Sequence, residues 1–138
     1  MPPSSPEFEL RYANPAAFAK QVKNLNQNHQ AVLMLALEQI LRRHGLRLAK
    51  STWLRYLGSS LWEFRVGPSS RAVESKAEAF YFETIPFTKV LFRVFCNFQS
   101  NQIIIHGFYD KKRFGAGKRQ NEAIQKARES LLTFKQGD

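Results

Sequence analysis

The sequence has few of the residues that stabilise small proteins through disulfides or metal ions. Its 138 residues include 1 Cys and 3 His. Cys96 has no second cysteine with which to form an intramolecular disulfide, so the sequence favours a reducing compartment, by default the cytoplasm. His29, His44 and His106 are scattered along the chain, and the cysteine spacings of zinc sites are missing. We therefore expect no metal ion and no other cofactor.

Long apolar runs are missing too. No stretch is long enough to cross a bilayer, and the N-terminus lacks the charged and apolar regions of a secretory signal. The hydrophobic fraction of 43% and the aromatic fraction of 13% nevertheless indicate a folded chain, whose length suits one domain over residues 1–138. We expect a soluble cytoplasmic protein with no membrane partner and with a flexible leader at residues 1–7.

Acidic side chains are scarce relative to basic ones. The chain has 11 Asp and Glu against 21 Lys and Arg, a formal net charge of +10. An excess of this size on a small domain indicates a polyanionic partner, most simply a nucleic acid. The alternative is a basic surface that aids solubility and docks on an acidic protein.

Hydrophobic periodicity predicts an α+β domain with the element order β-α-α-β-β-β-α. In this arrangement an antiparallel sheet carries its helices on one face, and the other face is open over part of its surface. Residues 67–86 are predicted to be an insertion or loop. Period-two alternation predicts strands at residues 8–12, 61–66, 90–98 and 102–108, whereas helical spacing predicts helices after Asn14-Pro15, from about Asn26 to Gly45, and around residues 123–134.

Three strand motifs occur in a fixed order before a final Ala-rich helix. They are LWEFRV at Leu61–Val66, FRVF at Phe92–Phe95, and IIIHGF at Ile103–Phe108 with Lys111-Lys112 after it. The ordered set resembles the HigB-like branch of the RelE/ParE toxin superfamily, which includes phage-derived proteins, and the match runs nearly the whole chain. The resemblance implies a RelE-like fold. It also implies a toxin of a type II toxin–antitoxin system that cleaves messenger RNA, usually on the ribosome, and is silenced by a helix-turn-helix antitoxin.

Two segments depart from the family pattern. Residues 70–86 are longer than the turn usual between the first two motifs, and Arg113–Gly117 replaces the threonine- and proline-containing approach to the last helix. The first change can alter access to the sheet, and the second alters the basic loop. Two further functions therefore stay open: a non-catalytic module that blocks a protein such as DNA gyrase, as the ParE branch does, and a phage-derived nucleic-acid-binding protein.

Metal-free RNA cleavage requires cations for the added negative charge and groups that move two protons. Arg65 and Arg93 lie at strand positions where two guanidiniums can clamp one phosphate, unless they only solvate an open face. His106 is a candidate general acid or base because its ordinary pKa is near neutrality, and its alternative role is a structural hydrogen bond.

The remaining candidates follow His106 in the sequence. Lys111 and Lys112 are expected to share the acid–base roles with it and to anchor phosphates. Tyr109 can stack on a base, donate its hydroxyl or pack in the core. The predicted RNA contacts are Tyr109, Arg113, Lys118 and Arg119, although a solvated helix face also explains the last two.

Overall fold

Five consecutive helical segments separate the first strand from the other four in the computed structural model, which describes residues 8–67 and 90–137. The predicted leader and all but the first residue of the predicted insertion lie outside the described residues. The elements are β1 (Glu9–Tyr12), α1 (Pro15–Lys23), α2 (Gln27–Leu35), a π-helical segment (Ala36–Leu41), α3 (Arg42–His44), a 3₁₀ helix (Gly45–Lys50), β2 (Leu54–Gly58), β3 (Leu61–Val66), β4 (Phe92–Gln99), β5 (Gln102–Asp110), α4 (Lys111–Phe114) and α5 (Lys118–Gly137).

The strands form one mixed sheet in the order β1-β5-β4-β3-β2. The α+β class is confirmed, but the prediction of a fully antiparallel sheet is wrong, because β1 runs parallel to β5. β2 was not predicted. Arg55 and Tyr56 of this edge strand are exposed, so the strand shows little of the hydrophobic alternation by which the others were identified.

Helix boundaries follow the capping residues in the sequence. Asn14 caps α1 by accepting a hydrogen bond from the Ala17 N–H, and Pro15 is its first residue. Asn26 caps α2 in the same way. The continuous helical stretch that begins there ends at Gly45, whose φ of 52° lies in the left-handed region. These three predicted boundaries are confirmed.

One face of the sheet, here called the front face, carries the main core. Phe64, Val94 and Phe108 of three adjacent strands lie on it, with Leu33 and Leu37 of the helical stretch packed against them. The predicted apolar face of that stretch is buried throughout, at Val32, Leu33, Ala36, Leu37, Ile40 and Leu41.

The opposite face, here called the back face, is covered by α5. Leu61, Phe95 and Tyr109 of the sheet pack against Ala127 and Leu131 of this helix in a second cluster. The prediction that helices cover only one face is therefore wrong. The apolar positions of α5 were predicted, but helical periodicity alone does not say which sheet face they meet. Within the residues described, no helix combines the length and apolar character that a membrane span requires.

A bulge in β5 changes which side chains reach the back face. Phe95 pairs with Gly107 while the next residue of β4, Cys96, pairs with Ile105, so His106 is an extra residue in β5. Gly107 has a φ of 149°, which suits a residue without a side chain. After the bulge, Phe108 packs in the front core and Tyr109 in the back cluster.

Gly45→Ala is expected to lower the free energy of unfolding by about 2–3 kcal/mol. The added Cβ would collide with the Phe8 ring, which would have to shift from its edge-to-face packing on Phe98, where the ring centroids are 6.1 Å apart. Gly117→Ala is the control, since φ is also positive there but no described atom lies within 4 Å of the new Cβ. Urea denaturation measures both variants, and equal losses would refute a contribution from the Phe8 contact.

Candidate functional site

Three of the predicted site residues stand in one row across the back face. Arg65 of β3 pairs with Arg93 of β4, and Arg93 pairs with Tyr109 of β5. Directly opposed residues of neighbouring strands have Cβ atoms about 5 Å apart, on the same side of the sheet. The two arginines therefore lie side by side, as the strand alternation predicts, and Tyr109 extends the row.

A buried carboxylate lies next to both arginines. Glu63, two residues before Arg65 on β3, is on the same face and nearly inaccessible to solvent. Its Oε1 lies 3.8 Å from Nε of Arg65 and 4.0 Å from Nε of Arg93. One carboxylate beside two guanidiniums leaves one net positive charge, so Glu63 offsets the repulsion between the arginines without cancelling their attraction for an anion.

The two arginines differ in access to solvent. The Arg93 side chain is 5% exposed, and its Nη1 donates to the Phe92 carbonyl at 3.0 Å. Burial lowers the pKa of Arg93, the neighbouring Arg65 lowers it further, and Glu63 raises it. The Arg65 side chain is 28% exposed. Arg65 is thus the arginine placed to meet a ligand, with Arg93 adding positive charge from beneath.

The basic residues after β5 form a short helix rather than a loop. Asp110 caps α4 by accepting a hydrogen bond from the Arg113 N–H, and the Lys111 N–H donates to the Leu91 carbonyl at 2.8 Å. These bonds place α4 at the same end of the sheet as the arginine row. Lys112 and Arg113 are exposed on α4, and Lys118 and Arg119 are exposed at the start of α5.

Tyr109 is a packing residue with a fixed hydroxyl. Its side chain is buried in the back-face cluster, and its hydroxyl donates to the Gly115 carbonyl at 2.5 Å. The Phe114 ring lies 6.0 Å away between centroids. Of the roles predicted for Tyr109, the structure supports core packing, and its donor hydrogen is committed to the backbone.

The structure does not bring His106 to the arginines. Its Nε2 donates a hydrogen bond to Oδ1 of Asn97, and its Nδ1 accepts one from the Ser130 hydroxyl. Both bonds have a length of 2.7 Å. Asn97 lies four residues after Arg93 on β4, roughly 13 Å along the strand at about 3.3 Å per residue. His106 therefore joins the sheet to α5, which is the structural role left open by the sequence.

Sequence reasoning missed two residues of this region. Glu63 occupies a polar position in an alternating strand, which normally indicates a solvated side chain, and only its burial reveals its role. Phe114 is 40% exposed, and the guanidiniums of Arg113 and Arg119 lie 5.0 and 5.1 Å from its ring centroid. The run of basic residues on both sides of this phenylalanine was the available signal.

Glu63→Gln is expected to lower the free energy of unfolding by about 3 kcal/mol, because it leaves two neighbouring guanidiniums without their shared carboxylate. Urea denaturation at neutral pH measures the loss. Glu129→Gln, at an exposed position of α5, is the matched control and should change stability by less than about 0.5 kcal/mol. Equal stability of the two variants would contradict the role given to Glu63.

Burial lowers the pKa of His106 to about 4. The unfolded chain takes up a proton near pH 6.5, whereas the folded chain does so only near pH 4, so stability falls as the pH drops through this window. After allowance for solvent screening, the loss is roughly 2 kcal/mol. His106→Gln should remove this part of the pH dependence and His29→Gln should retain it, as measured by urea midpoints from pH 7 to 4. An unchanged slope in His106→Gln would refute the assignment.

One end of the back face carries two guanidiniums and the Tyr109 hydroxyl, and α4, which bears Lys111 and Lys112, follows at the same end of the sheet. Among residues 8–67 and 90–137, no three His, Cys, Asp or Glu side chains lie close enough together to hold a metal ion.

No protein-family model matches the chain, and no curated protein matches it.

Proposed function

We propose that this chain is the toxin of a type II toxin–antitoxin system and cleaves messenger RNA without a metal ion. The observation that carries the proposal is the row of Arg65, Arg93 and Tyr109 on one sheet face. The partly exposed Arg65 guanidinium can contact a phosphate while the buried Arg93 beside it adds positive charge, and a net charge of +10 favours a polyanionic partner. The motif resemblance supplies the reaction class.

The chemistry follows from the positions of the cations. In metal-free cleavage the 2′-hydroxyl of RNA attacks the adjacent phosphorus, and negative charge builds up on the phosphorane oxygens. Arg65 would contact that phosphate directly, and Arg93 would stabilise its charge from the buried side. The 2′-hydroxyl would give its proton to solvent water as its oxygen bonds to phosphorus. The ammonium group of Lys111 or Lys112 would protonate the 5′-oxygen as the bond from phosphorus to that oxygen breaks, and would then regain a proton from water. His106 has no part in this scheme, because its ring lies farther along the sheet and both nitrogens are hydrogen-bonded.

The partners of this activity follow from the resemblance and the charge. The ribosome would present the messenger RNA, and its RNA would attract a strongly basic protein. A helix-turn-helix antitoxin would silence the toxin. The activity would take place in the cytoplasm, consistent with the single free, buried Cys96.

A second candidate function is RNA binding without cleavage. Two observations favour it: Arg93 is buried, and His106, which the sequence offers as a general acid or base, has both ring nitrogens in structural hydrogen bonds. Binding needs only the exposed cations, whereas cleavage also needs groups that move protons. Wild-type protein that binds RNA but leaves it intact would select this function.

Arg65→Ala is expected to slow single-turnover cleavage of a model messenger RNA by about 10²–10³-fold, the usual cost of removing one donor to a developing anion. Arg65→Lys should restore only part of the rate, because an ammonium cannot replace a bidentate guanidinium. The assay is run with and without ribosomes, since the resemblance implies that the ribosome presents the substrate. Binding to single-stranded RNA should lose about 0.7 from its logarithmic salt slope in Arg65→Ala.

Arg43→Ala is the matched control, because Arg43 is an exposed arginine on α3. It should cleave at the wild-type rate. Circular dichroism and urea denaturation establish that each variant is folded. Full cleavage by folded Arg65→Ala would remove Arg65 from the site and the proposed mechanism with it.

A further inference from the structure

A cavity lies at the edge of β5, next to Tyr109 of the arginine row. It has a volume of about 510 Å³ and opens between α1 and α5. β1 pairs with β5 only as far as Ile105, and α1 runs alongside the later part of β5 instead. The Gln21 side-chain amide holds this arrangement by donating to the Phe108 carbonyl at 3.1 Å. The end of the first strand thus creates a groove of a size usual for small ligands.

One end of the groove carries a planar apolar group flanked by positive charge. Phe114 is exposed there, and the guanidiniums of Arg113 and Arg119 lie over its ring. Exposed aromatic rings and guanidinium planes are the surfaces on which proteins stack unpaired bases. Lys126 adds a third cation to the lining. This composition suits an anion that carries a flat ring.

The polar groups of the groove include two carboxylates. Asp110 and Glu122 line it with the amide of Gln21. Carboxylate oxygens only accept hydrogen bonds, so Glu122 and the Asp110 oxygen that does not cap α4 match the exocyclic amines of guanine, adenine and cytosine. Uracil has no such amine and offers a single ring N–H. The three cations and two carboxylates leave the lining with a net positive charge, which suits the phosphate of a nucleotide.

From this lining we infer that the groove between α1 and α5 binds one unpaired RNA nucleotide and selects bases that carry an amino group. The inference rests on the proposed function, since it assigns a base pocket to the same RNA strand. Tyr109 belongs both to the arginine row and to the groove lining. A strand whose phosphate lies on Arg65 can therefore place a neighbouring base in the groove.

The test uses the ¹⁵N-labelled full chain and the nucleotides GMP, AMP, CMP and UMP. Backbone amides of Gly107 and Tyr109 should shift on titration, whereas the amide of Lys50, in the 3₁₀ helix, should not. GMP, AMP and CMP should each bind about tenfold more tightly than UMP, as expected for one matched hydrogen-bonding edge. Equal binding of all four, or shifts spread over the whole basic surface, would overturn the inference.

Two variants separate stacking from selectivity. Phe114→Ala should weaken binding of all four nucleotides, and Glu122→Gln should reduce the preference over UMP while retaining binding. Leu132→Ala is the matched control, because Leu132 is an exposed apolar residue of α5 outside the groove lining. It should bind like the wild type. The ¹⁵N spectrum of each variant reports whether it is folded.

The outcomes also distinguish this inference from the proposed function. Nucleotide binding in the groove by a protein that cleaves no RNA would leave the pocket standing and refute the nuclease. Cleavage that depends on Arg65 but is unaffected by Phe114→Ala, with no shifts at Gly107, would leave the nuclease standing and refute the pocket. Binding of an extended peptide along β5, with no binding of any nucleotide, would also refute the nucleotide pocket.

Discussion

The pairing of β5 on both of its sides is the constraint on which the rest of the structure depends. Along its first half β5 lies between β1 and β4, so its three consecutive isoleucines are buried. Along its second half only β4 continues, and α1 takes the place of a strand. The first half of β5 thereby contributes buried side chains to the core. The second half provides Tyr109 of the back-face row and the edge of the groove.

The back face combines two environments that place opposite demands on polar side chains. Beneath the middle of α5, His106 is neutral at physiological pH and fully hydrogen-bonded, as a buried polar group must be. Toward α4, Arg65 and Arg93 keep their positive charges because the carboxylate of Glu63 lies close to both guanidiniums. The same sheet face therefore has one end suited to stability and one end suited to an anionic ligand.

Much of the fold could be predicted from local sequence signals. Asn14, Asn26 and Gly45 mark helix boundaries because their side chains or backbone freedom act on the nearest turn. The parallel pairing of β1 with β5 could not be predicted in this way, since it joins residues more than ninety positions apart, such as Glu9 and Gln102. The face chosen by α5 and the exposed edge strand β2 also depend on contacts distant in sequence.

The candidate site was predictable to the extent that strand alternation determines it. Alternation places Arg65 and Arg93 on one face, and the structure pairs them. It cannot show that a helix covers that face farther along, which is why His106 was grouped with the arginines. Nor can it show that Glu63 is buried, because a glutamate at a polar strand position looks the same in sequence whether or not a helix lies above it.

The extra residue in β5 also constrains how this sequence can change. Successive side chains of a strand point to opposite faces of the sheet. The added residue therefore sends every later side chain of β5 to the face opposite the one it would otherwise occupy. Loss of one residue here would exchange Phe108 and Tyr109, sending a phenolic hydroxyl into the front core and a bare phenyl ring to the arginines. For Phe108 to stay in the front core and Tyr109 in the arginine row, the number of residues between Ile105 and Phe108 has to stay even.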